Sequence, residues 1–120
     1  MSKILIKSAW GSDDPTKAAF AFVHAKALAD AGHEVHILLL GEAVYLMRSV
    51  TAESVVPVGW PSVADAMRQV IAQGIPLHVW TACAVSRGVT TQELEGKNAS
   101  FSNPATFVSL VEWADKIITE

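Results

Sequence analysis

Val35-His36-Ile37-Leu38-Leu39-Leu40 constrains this chain more than any other stretch. Apart from one imidazole it is apolar at every position, so both faces of a strand built from it must be covered. That is the pattern of an inner strand in a parallel sheet, and parallel neighbours need a long return crossing between them. The flanking segments supply such crossings. Ile4-Leu5-Ile6, bounded by Lys3 and Lys7, reads as a first strand, and residues 16–31 follow as an Ala-rich helix without internal Gly or Pro. Asp13 or Asp14 is placed to cap that helix, with Pro15 in its first turn and Gly32 at its end. Phe20, Val23, Ala27 and Leu28 fall on one helical face, and Ala19, Phe22, Ala25 and Ala29 widen it, which predicts cover on more than one side.

After Gly41, residues 42–50 read as a short helix. Residues 54–58 are an edge strand or an extended loop, because Pro57 cannot donate to a ladder. Ser62 is placed to cap a helix over 63–73 that ends at Gly74. Pro76-Leu77-His78-Val79-Trp80 is another strand, and residues 83–88 form a helical turn closed by Gly88. Thr90-Thr91-Gln92-Glu93 matches a capping box. Asn103-Pro104 opens a helix over roughly 104–115, and Lys116-Ile117-Ile118-Thr119 is a closing strand. This alternation predicts an α/β fold, a three-layer α/β/α domain with a mostly parallel sheet of about five strands. Residues 1–120 are expected to form one domain.

Composition narrows the partners. The 120 residues are 51% hydrophobic and 18% charged, enough to bury a core without staples. A net charge of −3 with scattered Lys and Arg leaves no basic stripe, so no nucleic-acid partner is expected. The opening residues enter a strand pattern directly, with no leader expected, and no apolar run approaches the roughly 20 residues of a membrane span. A cytoplasmic protein that does not engage membranes is the expectation. The single Cys83 excludes an intrachain disulfide and any cysteine-cluster metal site. His24, His33, His36 and His78 have no ligand spacing, so neither a metal nor another cofactor is expected.

Ligands of parallel α/β sheets bind beyond the carboxyl ends of the strands, which singles out residues 8–14, 41–45 and 81–88. Cys83 falls just past a strand, at the start of a short helix whose amides favour a thiolate. Arg87, one turn on, adds positive charge. The competing reading is a small packed cysteine without chemistry. If the thiol is the nucleophile or sulfur carrier, Arg87 lowers its pKa or holds an anionic sulfur species. The amides around Ala84 and Ser86 then supply anion stabilisation. Ser8, Asp13 and Tyr45 are candidates for the pocket wall. Trp10 and Trp60 fall in loops, where tryptophans cap pockets, bury in subunit interfaces, or pack over their own domain.

The segment Val79-Trp80-Thr81-Ala82-Cys83-Ala84-Val85-Ser86-Arg87-Gly88-Val89-Thr90 resembles the signature of the DsrE/DsrF-like family. Ile4 to Pro15 resembles that family's first strand and Asp-rich loop, Ala31-Gly32-His33-Glu34-Val35 its helix-to-strand turn, and Phe107 to Ile118 its closing helix and strand. The resemblance implies a three-layer α/β/α fold, assembly into homotrimers or homohexamers, and sulfur relay between donor and acceptor proteins as a cysteine persulfide. The position that it assigns to the carrier cysteine is held by Trp80. Cys83 matches a second cysteine position, within about one helical turn of it. Two expectations follow. Cys83 carries sulfur in the chain, a sulfurtransferase or carrier role; or, with Trp80 in the carrier's place, the protein is a non-catalytic ligand-binding or structural subunit.

Overall fold

The computed structural model describes residues 1–120. The apolar runs become parallel strands β1 (Lys3–Ser8), β2 (Glu34–Leu39) and β3 (Leu77–Trp80). Two shorter strands, β4 (Ala99–Ser102) and β5 (Lys116–Thr119), complete a five-stranded sheet in the order β4-β3-β2-β1-β5. Every pairing is parallel. Leu5 pairs in register with His36, Leu38 with His78, and His78 with Ser100. The α/β class and the parallel five-stranded sheet are as the sequence predicts.

One of those strands is not where the sequence places it. Residues 54–58 form no edge strand: Ser54 ends a helix, residues 55–57 run as the extended loop that the sequence offered as the alternative, and the fifth strand is Ala99–Ser102. Its Ala-Ser-Phe-Ser alternation is too polar to read as a strand. Pairing with β3 sets it, together with Asn98, whose side chain donates to Gly74 O and whose φ of 53° turns the chain into the strand.

The return crossings are α1 (Pro15–Asp30), a 3₁₀-helix (Gly41–Met47) followed by α2 (Ser49–Ser54), α3 (Val63–Ala72), α4 (Thr81–Ser86), α5 (Thr91–Leu94) and α6 (Pro104–Trp113). Asp14 caps α1, its carboxylate accepting the Lys17 amide at 3.0 Å. Asp13 instead accepts the Gly11 amide at 2.8 Å and shapes the loop. Thr90 closes its capping box with Glu93. The single helix expected over 42–50 is interrupted at Arg48, whose extended backbone separates the 3₁₀-helix from α2. Helix α6 stops at Trp113, because Ala114 is already extended and leads into β5.

The two faces of the sheet are covered unequally. Ile4, Ile6, Ile37, Leu39, Leu77 and Val79 join a continuous core of 26 buried residues under α1, α3 and the 3₁₀-helix. On α1 the buried set is Ala18, Ala19, Ala21, Phe22 and Ala25, while Val23 is 41% exposed and Ala27 also faces solvent. The expected Val23–Ala27 face is thus corrected. Four alanines let the helix sit close to the sheet, and Phe22 alone fills the remaining depth. The opposite face carries only α6, over a buried trio of Leu5, Leu38 and Leu110. No helix is long and apolar enough to cross a membrane.

Candidate functional site

The loops that follow β1, β2 and β3 meet at the carboxyl ends of these strands. After β1, the buried Ser8 hydroxyl receives the Trp10 amide at 3.4 Å, and the chain turns through Gly11. Gly11 lies flat against the next loop: a Cβ there would stand 2.4 Å from Glu42 O. Only a residue without a side chain allows this approach. Glu42 then reaches the third loop, its Oε1 accepting from Arg87 Nη2 at 3.1 Å and Nε at 3.2 Å.

Arg87 also donates from Nη1 to Cys83 O and to Ser86 Oγ, both at 3.3 Å, and Ser86 Oγ donates to Cys83 O at 3.1 Å. The guanidinium therefore locks the α4 turn and is balanced by Glu42, with its donors engaged on the carbonyl side of Cys83. Cys83 is half-buried, packed against the main core, and unpaired. Ala84 beside it is fully buried, whereas Ser86 is exposed.

A second arginine fixes the same turn from outside. Arg48 Nη2 donates to Gly88 O at 2.8 Å and to Arg87 O at 3.1 Å, while its Nε holds Glu93 at 2.8 Å. Partial burial pushes the Glu93 carboxyl up, but the Thr90 amide and the Arg48 guanidinium outweigh this and hold it below its ordinary pKa. Both guanidinium carbons lie near the half-buried Tyr45 ring, at 5.4 Å for Arg48 and 5.9 Å for Arg87. Two cations beside one aromatic ring, each paired with a carboxylate, make a rigid and nearly neutral frame.

Of the residues singled out in the sequence, Tyr45, Cys83, Ala84, Ser86 and Arg87 belong to this frame or adjoin it, and Ser8 and Asp13 shape the loop that abuts it. Trp80 does not join them. Strand alternation turns it to the other side of the sheet, where its ring meets Phe107 of α6 edge-on at 6.1 Å. Arg48 and Glu93 were not singled out, and Glu42 was marked only as a member of the segment 41–45. Their roles come from contacts 45 residues away in sequence, and only the capping box around Glu93 left a local sign.

The frame opens to the surface. The three main cavities lie elsewhere: about 290 Å³ between α1 and α3 beside Trp60, about 100 Å³ beside α2, and about 470 Å³ at the amino ends of the strands near His33 and His36. Trp10 is held at the edge of the first loop, its Nε1–H donating to Glu120 O at 3.1 Å and the Lys17 ammonium lying 4.4 Å from its ring centre.

A parallel β4-β3-β2-β1-β5 sheet with a cysteine-bearing turn after β3 defines a small α/β protein. The DsrE/DsrF-like family model matches residues 3–119, and the chain belongs to that family. Among solved structures, the YchN protein of E. coli is similar in fold, with a TM-score of 0.79 and 19% identity over 100% of both chains. A conserved protein of unknown function from Bacteroides thetaiotaomicron, BT1422, has a TM-score of 0.72 and 14% identity, covering 99% of this chain and 95% of its own. At these identities the likeness is one of fold. No curated protein matches the chain in sequence.

Proposed function

We propose that residues 1–120 form one DsrE-like domain that carries sulfur on Cys83 as a persulfide. The observation that carries this reading is the half-buried, unpaired thiol on a turn braced by Arg87 and Glu42, in a chain of the DsrE/DsrF-like family. In the transfer, the Cys83 thiolate attacks the outer sulfur of a donor protein's persulfide. The donor S–S bond breaks, the donor thiolate leaves and takes up the proton that Cys83 lost, and Cys83–S–SH results with no net oxidation. An acceptor thiol removes the sulfur by the same exchange. Arg87 positions the turn and, once Glu42 yields, offers a cation to the anionic persulfide. Ser8, Asp13, Tyr45, Ala84 and Ser86 make the wall of that site.

The shallow frame fits a homo-oligomer, trimer or hexamer, in which a neighbouring copy closes the site. The thinly covered α6 face, with Val108 51% and Val111 37% exposed, supports association. A reducing cytoplasm suits a lone thiol. The second reading is a non-catalytic ligand-binding or structural subunit. It is favoured by Trp80, which faces α6 rather than the site, and by the neutralisation of Arg87.

Intact-mass spectrometry after incubation with a cysteine desulfurase and cysteine separates the two. Sulfur carriage gives a gain of about 32 Da that reductant removes and Cys83→Ser abolishes. No gain in the intact oligomer, with Cys83 slow to react with a thiol reagent, establishes the second reading instead.

A further inference from the structure

His36 on β2 and His78 on β3 both turn toward α6, and His36 Nδ1 lies 2.8 Å from His78 Nε2. The rings are 10° from parallel with centroids 5.1 Å apart. A 5.1 Å separation is the short contact plus the two distances from ring centre to nitrogen, so the imidazoles meet end to end in one plane. The pair forms a directed N–H···N hydrogen bond rather than a face-to-face stack. The indole of Trp113, the last residue of α6, packs on His36 at 4.4 Å between centroids, tilted 48°.

Counting protons on the four ring nitrogens determines how the pair responds to acid. A neutral pair carries two protons and a singly charged pair three. The Nδ1···Nε2 contact has room for one. A third proton therefore requires hydrogen on both outer nitrogens, His36 Nε2 and His78 Nδ1, whichever ring bears the charge. His78 Nδ1 is buried without a partner. In the neutral pair it remains a bare lone pair, with His78 Nε2–H donating to His36 Nδ1. In the charged pair it becomes an orphaned N–H, the costlier arrangement.

The surroundings offer no compensation. On β2, Glu34 is the acid whose field reaches His36. On β1, Lys3 and Lys7 flank Leu5, the register partner of His36, on the same face. Pro76 just before β3, Trp80 on β3 and Ser100 on β4 are uncharged. On α6, Trp113 makes the contact and Glu112 beside it is exposed. Neither imidazole hydrogen-bonds a carboxylate. Burial lowers His36, and burial followed by the charge of His36 lowers His78.

We infer that His36 and His78 form a one-proton latch that fastens the carboxyl end of α6 to the sheet and opens when the pair takes up a third proton. Opening separates the rings so that His78 Nδ1 reaches water. It also withdraws the surface on which Trp113 rests and loosens the cover over Leu5, Leu38 and Leu110.

Long-range proton–nitrogen spectra of the imidazoles and the Trp113 indole resonance, followed on the full chain from pH 7.5 to 4, test this. The latch gives Nε2–H tautomers for both rings at neutral pH. The two rings then titrate as one event, below the ordinary value near 6.5, with Trp113 shifting at the same midpoint. Two independent titrations near 6.5, a His78 Nδ1–H tautomer at neutral pH, or a Trp113 resonance that stays fixed through the transition would each overturn it. The wild-type titration decides by itself. In His78→Gln, whose amide is uncharged at every pH, the latch predicts a His36 midpoint higher than in wild type, and an unchanged midpoint counts against it.

Discussion

Gly11→Ala tests whether the loops after β1 and β2 are as tightly seated as the site requires. The added methyl would lie 2.4 Å from Glu42 O and 2.9 Å from Glu42 C, both backbone atoms that cannot rotate away. Relief needs a shift of about 1 Å to reach ordinary contact, and forcing a group into a packed site costs about 1–3 kcal/mol. Replacing glycine also removes freedom from the unfolded chain, a stabilisation of about 0.4–1 kcal/mol. The clash is the larger effect, and the net loss is about 1–2 kcal/mol. For 120 residues the unfolding entropy is about 0.25 kcal/mol/K, so Tm falls by about 4–8 °C. Thermal melts by far-UV circular dichroism read this, with exposed Ser12→Ala as the neighbouring control. Because Glu42 holds Arg87, and Arg87 holds the Cys83 carbonyl, the same variant also speeds Cys83 labelling by a thiol reagent. A Tm at or above that of the parent refutes the reasoning, since it means that the two loops have room to part.

Arg48→Ala removes the pair with Glu93 and both bonds to the Arg87–Gly88 turn, so Tm falls by about 4–8 °C for a loss of about 1–2 kcal/mol and Cys83 labels faster. Phe22→Ala empties the deepest part of the main core and lowers stability by about 3–5 kcal/mol, read from urea unfolding at an unchanged m value. Folded His78 takes a proton only at about 4, against 6.5 in the ordinary group, and His36 is displaced in the same direction. The unfolded chain therefore binds the proton first. Stability from this source is complete above pH 6.5 and is lost as pH falls through 4, so urea midpoints decline over that window and decline less in His78→Gln. A midpoint that rises on acidification would contradict the assignment.

Where burial on both faces dictated composition, the chain was readable. Ile4 to Ile6, Val35 to Leu40 and Leu77 to Trp80 have no alternative but inner strands, and with them came the parallel sheet and the edge on which to search for a site. Ala99–Ser102 escaped because an edge strand needs apolar side chains on one face only, and here that face is Ala99 and Phe101. The face of α1 was misjudged because small residues do the burying: a hydropathy pattern weights Val23 above Ala25, while the packing distance to the sheet selects Ala25. Cys83 and Arg87 were legible as neighbours in sequence. Glu42 was legible only as part of residues 41–45, since an ion pair spanning 45 residues leaves no mark on either segment. The strand was read to end at Trp80, and its alternation already sends that ring to the face away from the core that Cys83 packs against.

The strand order sets a timetable for assembly. β1 lies between β2 and β5, so one of its neighbours follows within 40 residues, while the other pairs Ile4 with Lys116, at the far end of the chain. As the polypeptide emerges during synthesis, β1 to β4 and the larger core can consolidate before β5 exists, and the β1 edge stays unpaired until the last segment arrives. The α6–β5 unit then docks as a late, separately cooperative piece, held by few buried side chains and by the clasp of Asp115 on the Lys3 amide at 2.9 Å. Native-state hydrogen exchange should show it opening before the rest of the sheet, leaving β1 as the place where a neighbouring chain's strand would add.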